Sequence, residues 1–178
     1  MEPDLPEAKG TYVLIAFVLR MKRLEIGRLG AYDLRPGFYA YVGSALGSGG
    51  LRARIRHHLE SVAQPHWHID YLLAYAEPVE VWYALFDRKL EQHLAEVLEQ
   101  SSGWHMPIPR FGSSDYRRSR TTHLFYSKRR PSFARFRQEV SVALGEPIKL
   151  TCAGVHLSAS AAKSASVVVG ADVRPGPE

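Results

Sequence analysis

Pro36-Gly37-Phe38-Tyr39-Ala40-Tyr41-Val42-Gly43, then glycines at 47, 49 and 50, then Leu51-Arg52-Ala53-Arg54-Ile55-Arg56-His57-His58-Leu59: this stretch decides the fold, because its pattern changes from a period of two to a helical one. Pro36 and Gly37 open a strand, Phe38 to Val42. In it Phe38, Ala40 and Val42 face one side while Tyr39 and Tyr41 face the other, so Tyr41 need not serve the core. The glycine cluster breaks the strand. Leu51, Ile55, Leu59 and Val62 then recur at helical spacing, and Arg54 and His58, four apart, share a different face of that helix.

On the N-terminal side lies Thr11 to Leu19, TYVLIAFVL, a continuous apolar and β-branched run of strand length. Arg-Met-Lys-Arg follows and then the alternating Leu24, Glu25 and Ile26, which predicts two strands of a hairpin. Toward the C-terminus, His66-Trp67-His68-Ile69-Asp70-Tyr71 fits either a short strand or a helix start. Val79 to Phe86 reads as a buried strand. Asp87 is a natural N-cap for a helix carrying Leu90, Leu94, Val97 and Leu98, with Glu91 in its first turns. A loop rich in Gly, Pro and Ser leads to a short strand, His123 to Tyr126. Phe133, Phe136 and Val140 mark a last helix beginning near Pro131. The order is β-β-β-α-β-α-β-α, a mixed α/β (α+β) chain.

The 178 residues and 20.0 kDa allow one domain with a real core. Hydrophobic residues at 46% and charged ones at 23% exclude a disordered or fibrous class for the bulk of the chain. The division expected is a leader over 1–9, a domain over 10–140, and a tail over 141–178. From about Leu150 that tail turns to Ala, Ser, Gly and Val, too poor in large apolar groups for a core. The longest apolar run is about half of the roughly twenty residues a membrane helix needs, and the acidic, proline-bearing start is unlike a secretory signal. No membrane partner is expected, and the single cysteine, Cys152, fits a cytoplasmic location. Between Arg110 and Arg137 nine basic residues face one acid, Asp115, a local charge of +8 in a chain whose total is +5. Such a field draws polyanions, and nucleic acid is the expected partner.

Gly10-Thr11-Tyr12 opening the first strand, Tyr41-Val42-Gly43 closing the third, and the basic helix with Arg54 resemble the GIY-YIG nuclease superfamily. His66-Trp67-His68-Ile69-Asp70-Tyr71, Phe111-Gly112-Ser113-Ser114-Asp115 and His123-Leu124-Phe125-Tyr126 are similar to its small, stand-alone Uri-type branch. The resemblance implies a small domain with a central, mostly antiparallel sheet flanked by helices. It also implies metal-dependent endonuclease activity on DNA, with RNA as the alternative substrate and repair as the expected setting. The matching positions are Tyr12, Tyr41, Arg54 and Glu91, with Gly10 and Gly43 as structural glycines and Glu91 as the ligand of one divalent metal, Mg²⁺ or Mn²⁺. The chain departs from the pattern in three ways. Thr11 stands for the middle isoleucine, and 28 residues separate the two tyrosines. No late asparagine is evident, and Tyr116 and Arg118 stand where cysteines are common in the branch.

The chemistry asks for the same residue types. Hydrolysing a phosphodiester needs a water in line with the leaving oxygen, a group to take its proton, and positive charge over the phosphoryl oxygens. Tyr12 is assigned as proton acceptor, with Tyr41 sharing the role. A phenol with a pKa of roughly 10 can do this as phenolate only beside a cation, expected from Arg54 and the metal. Arg54 offers phosphate a planar fork. Glu91 alone suffices for Mg²⁺, which keeps waters and substrate oxygens in its shell. His58, one turn beyond Arg54, is a candidate to protonate the leaving oxygen or to contact phosphate. Arg52, Arg56, Arg117, Arg118, Arg120, Lys128, Arg129 and Arg130 are expected to track the nucleic-acid backbone.

Each residue also has a plainer reading. Strand tyrosines usually pack, Arg54 alone would be a solvated helix residue, and Glu91 a favourable charge at a helix start. His66 and His68, with His57, His58 or His123, offer an alternative reading as a zinc site, although hydrogen bonding by His68 and Asp70 within the fold is the better expectation. Trp67 and Trp82 are expected in the core. The glycines at 47, 49 and 50 lack the following lysine of a nucleotide-binding loop. The rival to an enzyme is a basic nucleic-acid-binding module with the same fold that does not cut. Cleaving both strands of a duplex with one site would call for a homodimer, a second binding event or a repair-protein partner.

Overall fold

A computed structural model of the chain describes residues 4–60, 65–112, 122–145 and 147–155. Its centre is strand β1 (Gly10–Val18), buried on both faces for nearly its whole length. A run that is apolar throughout, rather than alternating, belongs to a strand with layers on both sides. β1 pairs antiparallel with β4 (Gly37–Ala45) on one edge and with β5 (Glu77–Leu85) on the other. β6 (Leu124–Ser127) adds beyond β4, and β7 (Leu150–Gly154) beyond β5. The result is a five-stranded antiparallel sheet in the order β6-β4-β1-β5-β7, as the resemblance implied.

Both edges of β1 are therefore taken, and the expected hairpin with Leu24–Ile26 does not form. Instead β2 (Lys22–Ile26) pairs with β3 (Gly30–Leu34) across a short 3₁₀ turn, making a separate two-stranded ribbon. Leu24, Ile26 and Leu34 carry that ribbon onto the sheet. With it on one face lie α1 (Gly50–Glu60) and α2 (His68–Leu73), packed over Tyr12, Leu14, Tyr39 and Tyr41. The other face carries α3 (Glu91–Gln100) and α4 (Phe133–Leu144), packed over Val13, Ile15, Ala40, Val42 and Trp82. Alternation in β4 thus falls as expected, with Tyr39 and Tyr41 on the α1 side. Each fully buried Val, Leu or Ile contributes about 1.5–3 kcal/mol, so two apolar faces fix β1 at the centre.

Of the two readings of His66–Tyr71 the helix start holds: α2 begins at His68, its Asp70 side chain reaching back to the backbone N–H groups of His66 and Trp67. Three further expectations are corrected. Asp87 is not the N-cap of α3, because that helix starts later, with Leu90 before it. The segment before β1 is more than a leader, since Leu5 is buried and the carbonyls of Pro6 and Ala8 accept the N–H groups of Arg52 and Leu51. They satisfy donors that the first turn of α1 cannot pair internally. Finally, α4 runs on to Leu144, and residues 150–154 form β7 despite small side chains. An edge strand draws on main-chain hydrogen bonds and needs few apolar groups. The remainder of the expected tail, 156–178, lies outside the described residues. No described helix is long and apolar enough to cross a membrane.

Candidate active site

At the end of the sheet where β1 begins and β4 finishes, a cleft of about 550 Å³ is lined by Tyr12, Tyr41, Arg54 and Glu91 together with Ser44, His58, Trp67 and Lys89. Four chain segments far apart in sequence thus meet. Tyr12 and Gly43 face each other across β1 and β4. A Cβ at position 43 would lie 2.5 Å from the Tyr12 hydroxyl oxygen, so only glycine leaves that phenol its place. At Gly10 a Cβ would lie 2.5 Å from the Ala84 carbonyl oxygen, so glycine there lets β1 lie against β5. Thr11 turns to the opposite face, where its buried hydroxyl accepts the Leu90 N–H at 3.2 Å. That bond ties the start of α3, and so Glu91, to β1. The departure from isoleucine has a positive use here.

The Tyr12 hydroxyl is fully buried in a chain of hydrogen bonds. It lies 2.9 Å from His58 Nε2, and His58 Nδ1 lies 2.9 Å from Asp70 Oδ1. Asp70 Oδ2 accepts from the backbone N–H of Trp67 at 2.8 Å and of His66 at 3.1 Å. Burial works against the Asp70 carboxylate, but the His58 ring and the two backbone donors outweigh it and hold its pKa below the ordinary value. Burial also lowers the pKa of His58, more than Asp70 raises it, and leaves a neutral imidazole. A carboxylate only accepts, so Nδ1 carries the proton, Nε2 accepts, and the Tyr12 O–H donates. The pKa of Tyr12 is pushed well above its ordinary value by burial first, then by Tyr41; Arg54 opposes this, and Glu91 and Asp70 add to it. Tyr41 is raised in the same way, by burial and by Glu91. Tyr12 is therefore a phenol with an acceptor behind it, and of the two cations expected to favour its phenolate, Arg54 lowers its pKa by less than burial raises it. His58 has both ring nitrogens engaged and 1% of its surface exposed, so the expected contact with a leaving oxygen or phosphate gives way to this link.

Arg54 lies with its guanidinium 4.6 Å from the centre of the Trp67 ring. Trp67 is 40% exposed and stands at the mouth of the cleft, unlike Trp82, which is in the core as expected. The indole meets buried His58 edge-on at 6.2 Å between centroids and carries Arg54 on its face, while its backbone N–H is held by Asp70. Glu91 is the only carboxylate lining the cleft among the described residues, and Ser44 Oγ donates to its Oε2 at 2.6 Å. No group of three or more His, Cys, Asp or Glu gathers around a common point among the described residues. A cation here would have one protein carboxylate, oriented by Ser44, which suits Mg²⁺ or Mn²⁺ with water and substrate oxygens completing the shell.

His68 Nδ1 accepts the Gly112 N–H at 3.0 Å, and its ring packs on Phe111 at 5.4 Å, so it pins the loop that closes over Tyr41. The basic candidates disperse. Arg52 is held by Glu7 at 2.7 Å and by the Leu5 carbonyl, and Arg130 pairs with Glu80. Arg56 is exposed on α1. Lys128, Arg129 and Arg130 line a different groove, beside Trp104 and Arg135. Arg117, Arg118 and Arg120, like Ser113–Asp115, lie outside the described residues. Sequence reasoning missed Ser44, Lys89 and the part played by Asp70 with His58. Lys89, two residues before Glu91, was legible as a cation entering the same helix; Ser44 depends on the approach of α3 to β4, and the Asp70–His58 link on that of α2 to α1.

A family model described as a domain of unknown function, DUF123, matches residues 11–145. No curated protein and no solved structure matches the chain. The match covers the sheet apart from β7, the four described helices and every segment that lines the cleft, so the chain belongs to the DUF123 family, a GIY-YIG-like, nuclease-related family.

Proposed function

We propose that this protein is a metal-dependent endonuclease of the Uri-type branch that hydrolyses phosphodiester bonds in DNA, with RNA as the second candidate substrate. The observation that carries the reading is the meeting of Tyr12, Tyr41, Arg54 and Glu91 in one cleft, with the Tyr12 hydroxyl backed by His58 and Asp70. The attacking water passes a proton to the Tyr12 oxygen as the Tyr12 proton moves to His58 Nε2. The imidazolium so formed is stabilised by the Asp70 carboxylate. Tyr12 thereby acts without first ionising, in keeping with the burial that raises its pKa. Tyr41 orients the water from the neighbouring strand, the oxygen attacks phosphorus in line, and the bond to the leaving oxygen breaks. Arg54 and Lys89 bring positive charge to the phosphoryl oxygens. Glu91 would hold Mg²⁺ or Mn²⁺, which supplies Lewis-acid stabilisation of the charge on phosphate and leaving oxygen.

The test is incubation of the full chain with labelled single-stranded, duplex, flap, fork and bubble DNA and their RNA counterparts, with Mg²⁺, with Mn²⁺ and with chelator. Metal-dependent cutting of at least one substrate supports the reading. Binding without cutting across the panel favours the non-catalytic module.

A further inference from the structure

Beside the cleft lies a second groove, of about 370 Å³, that shares Gly47, Arg54, His66 and Trp67 with it. No Asp or Glu lines this groove among the described residues. Its volume is close to the lower end of small-molecule pockets, roughly 300–1,000 Å³, and accepts one planar heterocycle. Among the described residues Trp67 is the only large aromatic side chain along it, and 40% of that residue is open to solvent. The indole is held from several sides: Arg54 lies over its ring, and His66 and His58 meet it edge-on at 5.9 and 6.2 Å between centroids. A rigid, exposed guanidinium–indole stack has little value for the core, but it is a surface on which a base can lie.

We propose that this groove is a binding subsite for one unpaired nucleobase next to the phosphate held by Arg54, so that the substrate is single-stranded or locally unpaired nucleic acid. Arg54 serves both functions, because its edge donates to phosphate while its face stacks. Bases inside an intact duplex are stacked on one another and cannot enter the groove unless extruded. The proposal rests on the nuclease reading only for the identity of the phosphate, since the stacking itself needs no cleavage.

The experiment is anisotropy of fluorescein-labelled oligothymidylate and of a labelled duplex, titrated in chelator with wild type, Trp67→Ala and Trp67→Phe. Trp67→Ala is expected to weaken single-strand binding by about tenfold and duplex binding hardly at all, while Trp67→Phe keeps most of the affinity. Equal loss on both probes, no loss, or no binding to either overturns the subsite. A second arm keeps the wild-type protein and moves a single abasic nucleotide along the strand. One position should lower affinity by a similar factor, and with Mg²⁺ present that position should adjoin the cut. A profile flat at every position overturns the proposal even if Trp67→Ala fails to fold. Base-dependent binding without cutting leaves the subsite standing and removes the nuclease reading. Cutting with a flat abasic profile does the reverse.

Discussion

Asp70→Asn removes one charge from the centre of the site and almost no volume. Asp70 accepts three hydrogen bonds, from the His58 ring at one oxygen and from the Trp67 and His66 N–H groups at the other. An asparagine has a single carbonyl oxygen, and the two backbone donors hold it on their side. Its NH₂ then faces His58 Nδ1, which must accept, and the ring proton moves to Nε2. Nε2–H now donates to the Tyr12 oxygen, and Tyr12 has no acceptor for its own proton. Loss of a hydrogen bond to a charged group costs about 1.5–3 kcal/mol, which lowers Tm by about 3–12 °C for a chain of this size. Loss of the proton acceptor lowers the single-turnover cleavage rate by about 10²–10⁴. Substrate affinity should hold, because Arg54 and Lys89 are untouched. The assay is single-turnover cleavage at saturating protein, with Tm and oligonucleotide affinity measured on the same preparation. A folded Asp70→Asn protein that cuts within about tenfold of wild type would refute the proton path.

Thr11→Val keeps the shape of the strand but leaves the buried Leu90 N–H without its acceptor. Urea unfolding should show a loss of about 1–3 kcal/mol, and cleavage should need more Mg²⁺ as Glu91 loses its anchor; a change below about 0.5 kcal/mol would show that the bond is not made. Stability should also depend on pH. Burial lowers the pKa of His58, His68 and His123, and Asp70 is lowered by its partners. Groups with depressed pKa stabilise the fold above their unfolded values and lose that contribution as pH falls. Tm should therefore drop from about pH 6.5 downward, and less steeply in His58→Gln. A Tm that stays level or rises on acidification contradicts the burial of neutral imidazoles.

Much of the site was legible before the fold, because tyrosines and glycines on strands and an arginine on the next helix are local signals. Alternation in Phe38 to Val42 assigned Tyr41 to its face, and helical spacing assigned Arg54. The ribbon was not legible: nothing in Leu24-Glu25-Ile26 says which strand it pairs with, and only the claim of β4 and β5 on both edges of β1 excludes the hairpin. Trp67 was misread as core because an aromatic residue looks alike in sequence whether it fills a core or holds an arginine at a rim. Asp70 sits twelve residues from His58, and their meeting depends on how α2 folds back on α1. β7 was missed since its side chains are small and its order comes from the backbone pairing with β5.

The measurement that bears most directly on the account is cleavage of the best substrate in Mg²⁺ by wild type, Tyr12→Phe and Glu91→Ala at equal concentration, each verified as folded. Tyr12→Phe removes the hydroxyl that would link water to His58, and Glu91→Ala removes the one carboxylate that lines the cleft among the described residues. The account predicts that wild type cuts, that both variants lose at least about a hundredfold in rate, and that both still bind. Cutting that survives in either folded variant, or that continues undiminished in chelator, contradicts it.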